Sequence, residues 1–213
     1  MRRTIVIVAL FLVVIAQRAD SQNRTSITVT DSECVACGYK PFSPGVELAT
    51  TQRLNSRFTL DARVQVKRAR KSQDVGDGGF LIGGETALRI GLKPAPAAES
   101  VSPSVFLIGG VRATRQYAEF GNKTSVWPMA GIGIEDGNLT LSARYLFPDV
   151  TSPNRGQGVE LIGERRWSMW HGDRGVLVKG SISVQRVHCI QGPVGLTRTC
   201  VVSYGLAGVG FYF

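Results

Sequence analysis

The stretch that decides the fold is residues 200–213, which read CVVSYGLAGVGFYF. It contains no charged residue, and its three glycines disfavour a helix. Residues two apart share one face of an extended chain, so the pattern predicts a β-strand with two apolar faces. One face holds Phe213, Phe211, Val209, Ala207 and Gly205, and the other holds Tyr212, Gly210, Gly208, Leu206 and Tyr204.

A last strand of alternating apolar residues that ends in phenylalanine resembles the closing strand of the small bacterial outer-membrane β-barrels. The resemblance implies an all-β fold, a closed antiparallel transmembrane barrel in the outer membrane. It also implies that Phe213, Phe211 and Val209 form the signal read by the barrel-assembly machinery. Lipid offers no hydrogen-bond partners to the backbone, so a spanning sheet has to close on itself. A secreted soluble β-barrel or sandwich that binds an apolar ligand is the alternative.

The N-terminus has the features of a signal peptide. Arg2 and Arg3 precede an apolar run over residues 5–16, which is shorter than the ~20 residues that a spanning helix needs. We expect residues 1–21 to be a signal peptide cleaved after Ala16 or Ser21, and residues 22–213 to form one barrel domain. An exported protein does not meet nucleic acid. Its net charge of +9 is compatible with binding to outer-membrane lipid and to the phosphates of lipopolysaccharide. We expect the protein to be a monomer.

Alternation is clearest over residues 58–67, where Phe58 and every second residue after it are apolar while Asp61, Arg63 and Lys67 share the other face. Tight turns are expected at 53–55, 136–138 and 171–173, a proline-rich turn at 93–103, and longer loops at 68–79, 115–124, 148–156 and 188–199. Strand parity then favours ten strands; the alternative is eight, with 22–55 as a periplasmic segment or plug. The predicted strands are 26–31, 45–52, 58–67, 80–93, 104–115, 125–136, 138–147, 157–169, 174–187 and 200–213.

The four cysteines suggest disulfides, because the chain is expected to be exported. The first choice of pairing is Cys34 with Cys37 and Cys189 with Cys200, since each pair then closes within one predicted outer loop. Pairing between the two loops is the alternative. The Cys34–Cys37 spacing also occurs in redox and haem-attachment motifs, but no histidine follows Cys37 and no βαβ pattern surrounds it. A four-thiolate zinc site would compete with oxidation, so we expect no metal and no cofactor.

Alternation directs charged residues of both signs into the barrel, where they can form a structural ion-pair network or line a narrow, charge-selective pore. Only His171 and His188 are available as histidine bases, and no hydrolase motif surrounds them. We therefore expect a non-catalytic envelope protein that acts through structure or through its outer loops, with a narrow porin as the alternative. The predicted inward residues are Asp61, Arg63, Lys67, Glu85, Arg89, Arg112, Glu135, Arg144, Glu160, Glu164, Arg166 and Lys179.

Overall fold

The structure is a computed structural model that describes residues 24–34, 44–68, 79–92, 103–118, 121–151, 157–170, 174–191 and 196–213. These residues form ten strands and no helix long and apolar enough to cross a bilayer. The strands are β1 Arg24–Cys34, β2 Gly45–Arg53, β3 Phe58–Arg68, β4 Phe80–Gly91, β5 Ser104–Ala118, β6 Gly121–Asp136, β7 Leu139–Leu146, β8 Gln157–Trp170, β9 Arg174–Gln191 and β10 Leu196–Tyr212.

The sheet is a closed barrel in which every strand pairs antiparallel with its neighbours in sequence and β1 also pairs with β10. The seam continues past the end of β10, because the backbone groups of Thr25 and Phe213 exchange two hydrogen bonds of 2.9 Å each. The predicted closed barrel of ten strands is confirmed. The eight-stranded alternative is wrong, since β1 and β2 are part of the barrel wall and not a plug.

Several strands are longer than their apolar pattern predicted. β5 and β6 continue to Ala118 and from Gly121, so most of the predicted loop at 115–124 is a paired hairpin. β9 and β10 likewise extend into the predicted loop at 188–199, and β1 is longer than 26–31 at both ends. Ladder hydrogen bonds join backbone groups and do not require an apolar face, so pairing continues beyond the residues that alternate.

Two short connections between strands lie at one end of the barrel. At the end that holds Arg24 and Phe213, which we call the turn end, strands join through the short segments 54–57 and 137–138. Asn55 closes the first by accepting hydrogen bonds at its side-chain oxygen from the backbone N–H groups of Arg57 (2.8 Å) and Phe58 (2.9 Å). Gly137 has a φ of 49°, which favours glycine in the second. The predicted turns at 93–103 and 171–173 lie mostly outside the described residues. We call the opposite end the loop end.

Burial is reversed relative to a soluble protein. Large apolar side chains point outward and stay exposed, for example Val29, Ile182 and Phe211 at 64%, 61% and 59%. The lumen buries charged side chains such as Asp61 and Arg144. It also holds an apolar cluster of Ala87, Phe106, Ile108, Met129 and Leu146. A soluble barrel that holds an apolar ligand would have the opposite distribution.

Candidate functional site: the ion-paired lumen

The lumen contains all twelve charged side chains that alternation directed inward, and nine of them form ion-pair contacts shorter than 3.0 Å. Arg63 makes a longer contact of 4.0 Å to Glu85. These side chains gather in a middle layer, a pair that crosses the β10–β1 seam, and a layer near the turn end. Lys67 has no ion-pair partner in the described part of the chain, and Glu164 only approaches Arg166 Nε at 3.9 Å.

Glu85 is the centre of the middle layer. Its Oε2 accepts from Arg112 Nη2 at 2.7 Å, its Oε1 accepts from Arg144, and Arg63 Nε lies 4.0 Å away. Arg112 also donates to Glu160 Oε2 at 2.6 Å. Glu85 and Arg112 are direct cross-strand partners, whereas the Arg144–Glu85 and Arg112–Glu160 bonds each join strands three positions apart. These two bonds therefore cross the lumen.

A second contact joins β9 to β2. Lys179 Nζ donates to both carboxylate oxygens of Glu47, at 2.6 and 2.8 Å, and both side chains are buried. Glu47 is not among the inward residues predicted from alternation. The signal was present, because Glu47 is a charged residue between the apolar Val46 and Leu48 of a predicted strand.

The layer near the turn end is built on Asp61 and Glu135. Arg89 makes a bidentate contact with Asp61, with two bonds of 2.5 Å, and a longer bond of 3.3 Å to Glu135. Arg166 Nη2 donates to Glu135 at 2.9 Å. Thr51 Oγ1 donates to Asp61 Oδ1 at 2.8 Å, a contact that a search for charged residues could not find.

The ion pairs divide the lumen into two cavities. The larger, of about 460 Å³, lies toward the loop end and is lined by Glu85, Lys67 and Trp127 among others. The smaller, of about 50 Å³, lies toward the turn end and is lined by Arg144. Glu85 and Arg144 thus face different cavities, and the bond between them forms part of the partition. Chemically, most charges of the lumen are ion-paired, and they lie beneath a larger cavity that both polar and apolar side chains line.

The outward face of β10 carries the residues predicted as an assembly signal. Val209, Phe211 and Phe213 are 58%, 59% and 52% exposed. Val209 and Phe211 pair with Val29 and Ile27 of β1, so they lie on the outside of the seam that closes the barrel.

The predicted disulfides lie outside the described side chains. Cys37 is not among the described residues, and only the backbone of Cys34, Cys189 and Cys200 is described, within β1, β9 and β10. The histidine side chains are likewise not described. Within the described residues, no group of three or more histidine, cysteine or acidic side chains is arranged to hold a metal.

Known structures with a similar architecture include Neisserial surface protein A, at 10% sequence identity and a TM-score of 0.40, covering 90% of this chain and 96% of that one. Outer membrane phospholipase A from Escherichia coli has 10% identity and a TM-score of 0.38, covering 89% and 92%. The attachment invasion locus protein Ail of Yersinia pestis has 11% identity and a TM-score of 0.32, covering 90% and 97%. No protein family and no curated protein sequence matches the chain. The similarity concerns the barrel architecture alone.

Proposed function

We propose that this chain is an integral β-barrel of the bacterial outer membrane, with a lumen closed by ion pairs and a structural or surface-interaction role exercised at its loop end. One observation carries the proposal: large apolar side chains cover the outside of the closed barrel while charged side chains fill its inside. Exposed apolar surface costs about 25 cal/mol per Å² in water and nothing in hydrocarbon. A continuous apolar wall therefore suits lipid.

The ion pairs that cross the lumen support a barrel that does not conduct. A solute that passed from the larger to the smaller cavity would have to displace the Arg112–Glu160 and Arg144–Glu85 contacts, each of which joins strands three positions apart. Each separation would leave a buried charge without its partner, at a cost of about 3–5 kcal/mol. We therefore propose that the ion pairs in the lumen stabilise the barrel wall.

A non-catalytic role rests on the sequence. The chain has two histidines and no hydrolase motif around them. We further propose a cleaved signal peptide at the N-terminus, insertion by the barrel-assembly machinery, and a monomer in contact with outer-membrane lipid and lipopolysaccharide.

A narrow porin is the second candidate, and the 460 Å³ cavity favours it, since this cavity already reaches Glu85 and Arg112 of the middle layer. The two candidates differ in conductance. In a planar bilayer we expect the purified protein to be silent. Stable single-channel steps from the unaltered protein would contradict the structural role and would show that the barrel is a pore.

Membrane residence is tested separately by electrophoresis and fractionation. The folded barrel should migrate differently in unboiled and boiled samples, and it should be recovered in the outer-membrane fraction. Deletion of Phe213 removes both backbone bonds to Thr25 and an outward-facing ring, so it should lower that recovery. A protein that remains in the periplasmic supernatant and shows no heat-dependent mobility would contradict the proposal.

A further inference from the structure

Two arginines and two aromatic residues lie together on the outer wall at the loop end. Arg68, the last residue of β3, pairs with Phe80 of β4, which pairs with Tyr117 of β5. Arg115 lies on the same face as Tyr117 and pairs with Ile82. We call these residues, Arg68, Phe80, Ile82, Arg115 and Tyr117, the arginine–aromatic patch. By ordinary strand spacing, the Cα atoms of Arg68 and Arg115 are roughly 12 Å apart on either side of β4.

The patch differs electrostatically from the lumen. The lumen guanidinium groups of Arg89, Arg112 and Arg166 each contact a carboxylate within 3.0 Å. Arg68 and Arg115 have no carboxylate partner among the described side chains. Instead, the Arg115 guanidinium lies 5.2 Å from the centre of the Tyr117 ring, which holds it against the outer wall.

Both arginines are exposed, and so is Phe80, at 53%. The inference rests on the proposed function: in an outer-membrane barrel, this rim meets the headgroups of the outer leaflet. Aromatic rings of barrels lie at that depth, where an apolar ring is next to a polar boundary. A guanidinium at the same depth is stabilised by an anion, and its planar donors can bind a phosphate group through two parallel hydrogen bonds.

We propose that the arginine–aromatic patch binds the phosphate groups of lipid A, the glycolipid anchor of lipopolysaccharide. The two arginines flank the apolar side chains of Phe80 and Ile82 on β4, so the patch can hold two phosphates while these apolar side chains contact the adjoining acyl chains. A single soluble anion would use only one of these features. The patch therefore favours an amphipathic anion over free phosphate.

The chain offers a matched control at the opposite rim. Arg165 also faces outward, and its guanidinium lies 5.3 Å from the centre of the Trp167 ring. Arg165 pairs with Leu139 at the start of β7, next to the short turn at 137–138, and thus lies near the turn end. In the proposed orientation the Arg165–Trp167 pair meets the inner leaflet, which is remote from lipid A.

The test uses the full chain folded in nanodiscs that contain lipid A at a low fraction, with bound lipid A quantified after purification. R68Q/R115Q should retain about tenfold less lipid A than the unaltered protein, because two charge-assisted contacts are lost. R165Q should retain as much as the unaltered protein. With lipid A from which both phosphates have been removed, the difference should vanish, and excess inorganic phosphate should not compete.

Equal retention by R68Q/R115Q and the unaltered protein would overturn the proposal, as would the same loss with dephosphorylated lipid A. Competition by inorganic phosphate would identify a site for free phosphate and would also overturn it. All variants are first compared by heat-dependent mobility. If the unaltered protein itself fails to insert, the proposed function has failed; if it inserts but shows no phosphate dependence, only the assignment of the patch has failed.

Discussion

Lys179 on β9 and Glu47 on β2 form a bidentate contact inside the barrel, with Nζ 2.6 and 2.8 Å from the two carboxylate oxygens. Strands β10 and β1 lie between β9 and β2 in the wall, so this contact crosses the seam where the first and last strands pair. A contact between side chains 132 residues apart thus reinforces the closure of the barrel.

Removing one member of this pair should be costly. K179M leaves the Glu47 carboxylate buried without its partner, and we expect the free energy of unfolding to fall by about 3–5 kcal/mol. E47Q/K179M removes both charges of the pair, so its free energy of unfolding should fall by less than that of K179M. The measurement is urea-induced unfolding of the protein in detergent micelles, followed by tryptophan fluorescence.

Lys67 provides the matched control, since it is also an inward lysine but has no ion-pair partner among the described side chains. K67M should change the free energy of unfolding by less than about 1 kcal/mol. Equal losses in K67M and K179M would mean that the Glu47 contact does not stabilise the barrel.

The bonds across the lumen lead to a prediction about conductance. Arg112 and Arg144 each bond to a carboxylate three strands away, and Arg89 bonds to Glu135 two strands away, so R89A/R112A/R144A should join the two cavities. The carboxylates of Asp61, Glu85 and Glu160 would then line the passage without their partners. In planar bilayers we expect discrete, cation-selective steps from this variant and none from the unaltered protein.

The charge-matched control is R165A/R174A/R186A, which removes three arginines that alternation directs to the outside of the barrel. This variant should remain silent, because the outer wall does not border the lumen. Heat-dependent mobility of both variants establishes that the barrel is folded. A folded R89A/R112A/R144A variant without conductance would contradict the assignment of these bonds as the closure.

Close backbone approach at the seam gives a third prediction. A Cβ added to Gly210 of β10 would contact the Ile27 carbonyl oxygen and lie 2.6 Å from Thr28 Cα, both in the backbone of β1. G210A should therefore lower the free energy of unfolding by about 1–3 kcal/mol and reduce the folded fraction in unboiled gels. A Cβ at Gly205, on the same strand, would meet nothing within 4 Å, so G205A should match the unaltered protein. Equal behaviour of the two variants would contradict a tight seam at Gly210.

The sequence was sufficient to predict which side chains enter the lumen, because side-chain direction depends only on alternation within a strand. It was not sufficient to predict their partners. Arg144 lies opposite Glu160 in the strand ladder but bonds to Glu85, three strands away, since a closed barrel brings non-neighbouring strands together. Strand ends such as Ala118 were missed for a related reason: the ladder continues where the apolar pattern stops. Glu47 was predictable from the same alternation that identified Glu85.

Among the described residues outside the strands, one buried carboxylate lies at the loop end. Asp149, after β7, is 1% exposed, and its Oδ1 accepts from the backbone N–H groups of Val126 and Thr151, both at 2.9 Å, and from Thr151 Oγ1 at 2.6 Å. Burial acts to raise the pKa of the Asp149 carboxyl. The hydrogen bonds from Thr151 and Val126 outweigh it and hold the pKa below its ordinary value.

A depressed pKa fixes the direction of the pH dependence. Asp149 stabilises the folded state above the ordinary aspartate pKa of about 3.9, and this stabilisation is lost as the pH falls through the lower folded-state value. D149N keeps an acceptor oxygen but loses the charge. At pH 7 the D149N substitution should lower the free energy of unfolding by about 1–3 kcal/mol. The difference in stability between D149N and the unaltered protein should shrink below about pH 4. T151V, which removes one donor, should show a smaller change in the same direction. The stability of both variants is measured by thermal unfolding between pH 2 and pH 7. Parallel pH profiles for D149N and the unaltered protein would mean that the charge on Asp149 does not stabilise this end of the barrel.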